Sequence, residues 1–141
     1  MIISFTPKII LSEKAMLLLG KEIANYYPKG AVIYLSGELG SGKTTLVRGF
    51  LRGLGYKGFV KSPSYSLVEI YRLSTLEVVH VDLYRLEEPE DYLNLGLSDY
   101  LKNNPILLIE WPEKSGKFLP SPTLWIKIDI QGKKRIVKFS V

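Results

Sequence analysis

Ala31-Val32-Ile33-Tyr34-Leu35-Ser36-Gly37-Glu38-Leu39-Gly40-Ser41-Gly42-Lys43-Thr44 runs from an apolar, β-rich segment straight into a glycine-rich loop. Two glycines enclose four residues and are followed by Lys and a hydroxyl residue, the pattern of a phosphate-binding loop between a buried strand and a helix. The glycines open backbone angles closed to other residues, so that successive N–H groups can converge on one anion. Lys43 supplies a mobile positive charge for β- and γ-phosphates, and the Thr44 hydroxyl suits a bridging Mg²⁺. A helix beginning near Lys43 adds the positive end of its dipole. Leu46, Val47, Phe50, Leu51 and Leu54 recur at helical spacing, and Gly55 offers the stop.

Toward the N-terminus, residues 2–5 read as a short edge strand, and Ser12 is the better N-cap for a helix whose shared apolar face is Leu11, Ala15, Leu18, Leu19 and Ile23. That helix ends near Tyr26-Tyr27-Pro28. Toward the C-terminus, Lys61-Ser62-Pro63-Ser64-Tyr65-Ser66 is a hydroxyl-rich loop, with Ser64 the candidate for sensing a γ-phosphate. Ser66–Tyr71 and Leu76–Asp82 read as an antiparallel hairpin. Pro89 opens a helix through Leu93, and Ser98–Leu101 begins another; both read as connecting structure before the buried strand Ile106–Glu110. Asp82 and Glu110 each close an apolar strand, where Mg²⁺ or its water shell is held beside a phosphate loop. Spacing alone does not place either beside Thr44. Trp111 follows at once. Leu124–Ile130 and Ile136–Ser140 alternate as a C-terminal hairpin turning at Gln131-Gly132, where Lys133, Lys134 and Arg135 form a basic cluster suited to phosphate or an acidic partner, with solvated turn charge the plainer reading.

The 141 residues suit one domain, 1–141, with no repeat or linker. No cysteine and one histidine, His80, exclude disulfide frameworks, thiolate sites and multi-histidine zinc sets, so a metal here takes oxygen ligands, as Mg²⁺ does. No apolar run approaches a membrane span, and a cytoplasmic protein is expected. The net charge of +5 is compatible with nucleic acid or an acidic partner, but an ordinary soluble surface is the plainer reading. The expected fold is α/β: a P-loop NTPase domain with a mixed central sheet flanked by helices and a C-terminal β-hairpin.

Four blocks in order resemble the TsaE (YjeE) ATPases of bacterial tRNA threonylcarbamoyladenosine synthesis. They are Gly37–Thr45 with Val47-Arg48-Gly49-Phe50; Lys61–Glu69; His80-Val81-Asp82-Leu83-Tyr84-Arg85-Leu86; and Glu110-Trp111-Pro112-Glu113. The resemblance implies that Lys43, Asp82 and Glu110 are catalytic. It implies nucleotide contacts from Glu38, Leu39, Gly40, Ser41, Gly42, Lys43, Thr44, Thr45, Ser64 and Trp111, and a metal site at Thr44, Glu110 and Asp82. Ser64 stands where the family commonly has Thr, and Met16 near the adenine where it often has Thr. ATP and Mg²⁺ are the implied cofactors, and TsaD and TsaB the implied partners, with tRNA reached through their complex. Slow hydrolysis in the assembled complex resets it between turnovers.

Two other readings compete. A small GTP-binding switch needs a guanine-recognition motif, and the near match Ile126-Lys127-Ile128-Asp129 lacks the polar first residue. A small-molecule kinase needs an acceptor pocket and an Arg-bearing lid, and no segment is long enough for both.

Overall fold

The computed structural model describes residues 6–63 and 66–141, so the expected strand at 2–5 and Ser64 lie outside the described residues. Strand β2 (Ala31–Gly37), which carries the loop, occupies the middle of the sheet. It pairs in parallel with β5 (Ile106–Glu110) on one side and β6 (Leu124–Gln131) on the other. Burial on both faces is why β2 and β5 are nearly continuous apolar runs. Beyond β5 the parallel β4 (Glu77–Asp82) and antiparallel β3 (Val68–Arg72) complete that side. Beyond β6 come β7 (Lys134–Ser140) and β1 (Lys8–Ile10), both antiparallel. The order is β1-β7-β6-β2-β5-β4-β3, the expected mixed sheet with its C-terminal hairpin. Gln131 pairs with Lys134, so the turn is Gly132-Lys133, one residue later than expected. A two-residue hairpin loop requires positive φ, and Gly132 provides it at 62°.

Helices α1 (Glu13–Ala24) and α2 (Lys43–Gly53) cover one face of the sheet. The Ser12 hydroxyl caps α1 by accepting the Ala15 N–H at 3.1 Å. The inward face of α1 is Met16, Leu19, Gly20, Ile23 and Ala24, while Leu11 and Leu18 are 73% and 54% exposed. The expected stripe is therefore rotated. The cause is close backbone contact between the two helices: a Cβ on Gly20 would stand 2.2 Å from the Leu46 carbonyl oxygen, and one on Gly49 2.1 Å from that of Leu17.

On the other face, Tyr34, Val79, Val81, Leu107 and Ile109 pack under Tyr92, Leu97 and Leu119. The segments read as connectors thus form the second covering layer. Pro89–Leu95 is a 3₁₀ helix rather than an α-helix, bounded by the Glu88 N–H bonded to the Asp91 carboxylate and by Gly96 at φ 74°. Three residues per turn align Tyr92 with Leu95, and both meet the core. Helix α3 (Ser98–Leu101) and 3₁₀ turns Pro112–Lys114 and Gly116–Phe118 complete the layer. No helix among the described residues is long and apolar enough to cross a membrane.

Candidate nucleotide-binding site

The loop leaves β2 at Gly37 and enters α2 at Lys43. Gly40 and Gly42 hold φ of 78° and 111°, left-handed angles that turn the intervening amides toward one concavity. No side chain caps α2 at Gly42, so its first N–H groups stay available to an anion. Arg135 fastens the loop from behind: its Nε donates to the Ser41 carbonyl at 3.2 Å and its Nη2 to the Gly40 carbonyl at 3.3 Å. This corrects the reading of Arg135 as solvated turn charge. Nothing in its local sequence pointed there, because the contact spans from β7 to the loop.

Lys43 is buried, and its ammonium donates to the carbonyls of Gly37 and Glu38 and lies 4.7 Å from the centre of the Trp111 ring. Burial draws its pKa below the usual lysine value, against the opposing pull of Glu110, Asp82, Glu113 and Glu38. Parallel pairing sets Asp82 directly beside Glu110, a placement no sequence spacing specified. Both acids are buried. Burial raises the Asp82 pKa above the ordinary carboxylate value; the Tyr84 N–H, which donates to Oδ1 at 2.9 Å, acts against that. Glu110 raises it further, while His80 and Lys43 lower it.

Leu39, Gly40, Ser41, Gly42, Lys43, Thr44, Thr45, Ser62, Asp82, Glu110 and Trp111 line one cleft. The structure therefore gathers every expected site residue except Ser64, which lies outside the described residues, and Glu38, whose carbonyl meets Lys43. A second hollow on the other flank of the loop is lined by Ile10, Met16, Thr45, Lys133 and Arg135. Trp111 adopts φ 59°, its N–H bonds the Leu35 carbonyl at 3.2 Å, and its ring packs against Tyr84 at 4.9 Å.

The donor set fits a phosphate–Mg²⁺ group. Ser41 Oγ is buried with no hydrogen-bond partner among the described residues, and a Cβ on Gly37 would crowd it at 2.6 Å. No group of three His, Cys, Asp or Glu side chains is poised as a metal cage among the described residues. Two acids and a hydroxyl suit a cation held largely by phosphate oxygens and water. Ile126–Asp129 lie inside β6, and Asp129 is paired to Lys138 at 3.3 Å, so they form no guanine-recognition loop.

The family model "Threonylcarbamoyl adenosine biosynthesis protein TsaE" matches residues 10–137. The chain belongs to the TsaE family. It is 44% identical over 125 residues to the tRNA threonylcarbamoyladenosine biosynthesis protein TsaE of Haemophilus influenzae, covering 85% of this chain and 79% of that one. The Bacillus subtilis protein of the same name is 35% identical over 81% of this chain and 71% of its own. The crystal structure of Bacillus subtilis YdiB superposes with a TM-score of 0.78 at 28% identity, covering 94% of this chain and 82% of that one.

Three further residues tie the site to the sheet. Trp125 Nε1 donates to Ser36 Oγ at 2.8 Å, and Ser36 Oγ donates to Glu113 Oε2 at 2.7 Å. The Glu110–Glu113 segment is thereby anchored to β2 and β6. Glu113 stood within a family-like block, but Ser36 and Trp125 carried no signal beyond their strands.

Proposed function

We propose that the chain binds Mg·ATP in the Gly37–Thr44 cleft and hydrolyses ATP as a subunit working with TsaB and TsaD in tRNA threonylcarbamoyladenosine synthesis in the cytoplasm. Hydrolysis resets the complex rather than transferring the threonylcarbamoyl group. The observation that carries this reading is the convergence of Lys43, Thr44, Asp82, Glu110 and Trp111 on one cleft at the carboxyl ends of β2, β4 and β5. Membership of the TsaE family supports the pathway.

In this reading the loop amides and Lys43 hold the phosphates, and Thr44 and Glu110 hold Mg²⁺, which supplies positive charge to the phosphate oxygens. Asp82 holds the ion's water shell or orients the attacking water, and burial, by raising its pKa above the ordinary carboxylate value, makes it a more basic acceptor. Lys43 must leave the Gly37 and Glu38 carbonyls and the Trp111 ring to reach a phosphate. Nucleotide binding therefore breaks the Lys43 contact with the Trp111 ring. Ser64 remains the candidate for the γ-phosphate contact, and Met16 borders the hollow suited to the base.

ATPase assays with and without purified TsaB–TsaD test the proposal. Stimulation by the partners is expected, with Lys43→Ala and Glu110→Ala each abolishing turnover in the assembly. Near-normal turnover in either variant, or rates indifferent to the partners, overturns it. Loss of turnover with nucleotide binding retained in Asp82→Ala assigns Asp82 to the water rather than to the ion.

A further inference from the structure

His80 is fully buried in the middle of β4, and its Nε2 lies 2.6 Å from Glu110 Oε2. A carboxylate only accepts, so the imidazole donates through Nε2–H. Its Nδ1 has no hydrogen-bond partner among the described residues. A histidine kept only for packing gains nothing from a buried, half-satisfied ring, since apolar side chains fill such volume without unpaired polar atoms. Among the described residues, the hydrogen bond its ring does make is to a site acid.

The sheet explains the geometry. His80 and Asp82 alternate on β4, opposite Leu108 and Glu110 of β5, so His80 approaches Glu110 along the strand diagonal. The terminal torsion of Glu is broad and loosely set. With Oε2 tied to His80, the Glu110 carboxylate is held in one rotation, and its other oxygen stays available at the cleft that Glu110 lines.

We propose that His80 is a positioning residue, whose hydrogen bond holds the Glu110 carboxylate in the orientation that takes Mg²⁺ beside the phosphates. The inference rests on the reading of Glu110 as a metal ligand. Outer-shell partners of this type usually change metal affinity about 10- to 100-fold when removed.

The test is calorimetric titration of the full chain with ATP across a Mg²⁺ series and in EDTA, for wild type, His80→Leu and His80→Gln. His80→Leu is expected to raise the Mg²⁺ concentration for half-maximal affinity enhancement by about 10- to 100-fold. ATP affinity in EDTA should stay within about twofold of wild type, since the loop and Lys43 are untouched. His80→Gln, whose amide N–H can replace Nε2–H, should recover most of the Mg²⁺ response. An unaltered Mg²⁺ requirement in folded His80→Leu overturns the inference, as does an equal defect in Leu and Gln variants. Should His80→Leu not fold, His80→Asn, too short to reach Glu110, decides: a wild-type Mg²⁺ requirement in it overturns the inference. A wild type indifferent to Mg²⁺ overturns the metal reading itself, a result distinct from the others.

Discussion

Asp82 carries an electrostatic cost that the rest of the fold offsets. Its folded pKa is raised by burial, so its protonated form is favoured in the folded state relative to the unfolded chain. The associated stability is fully present below the ordinary carboxylate pKa and is lost as pH rises through the raised folded value. Above the ordinary carboxylate pKa, Asp82 therefore destabilises the nucleotide-free protein. Asp82→Asn is expected to stabilise it by on the order of 1 kcal/mol at pH 7–8, with the gain shrinking toward pH 4. Urea unfolding of both proteins across that range checks the sign; a gain that grows on acidification contradicts it. Trp111 is a second costly residue, since a non-glycine side chain at φ 59° stores about 1–3 kcal/mol of backbone strain. Trp111→Gly should relieve that strain yet weaken ATP binding, because a ring that lines the nucleotide cleft is lost. A denaturant midpoint and an ATP titration on the same variant measure the two effects separately.

At the scale of elements, the α1–α2 contact is set by glycine rather than by an apolar stripe. In Gly49→Ala the new methyl would meet the Leu17 carbonyl carbon and oxygen at 2.8 and 2.1 Å, backbone that cannot rotate away. The expected loss is about 3 kcal/mol, the upper end for overpacking, read as a lower urea midpoint. Gly55→Ala, where nothing lies within 4 Å, should cost only the left-handed backbone term of about 1–2 kcal/mol. These glycines also mark where reading the sequence falls short. β2, β5, the loop and both hairpins were visible because local chemistry specifies them: two-sided apolar runs, turn glycines and strand alternation. The rotation of α1, the tether from Arg135 and the Trp125–Ser36–Glu113 chain were not, since each depends on residues far apart in sequence meeting across the fold. Asp82 and Glu110 fall between: their identities were visible, and their adjacency required the strand order.

For the whole molecule, parallel pairing does the assembling. The carboxyl ends of β2, β4 and β5 meet at one edge, where ligands gather in open α/β sheets. Family membership and the likeness to YdiB over 94% of the chain agree with this arrangement.

The central position of β2 has a consequence for how the protein is made. Its neighbours are late arrivals: Ala31 waits for Ile106, and Ile33 for Leu124. At roughly 5–20 residues per second of synthesis, the phosphate loop emerges several seconds before either flanking strand exists. The glycine loop is thus among the earlier parts to be translated and among the last to acquire its shape. Nascent chains halted short of Leu124 should remain protease-sensitive through Ala31–Gly53, and protection should appear once β6 clears the ribosome.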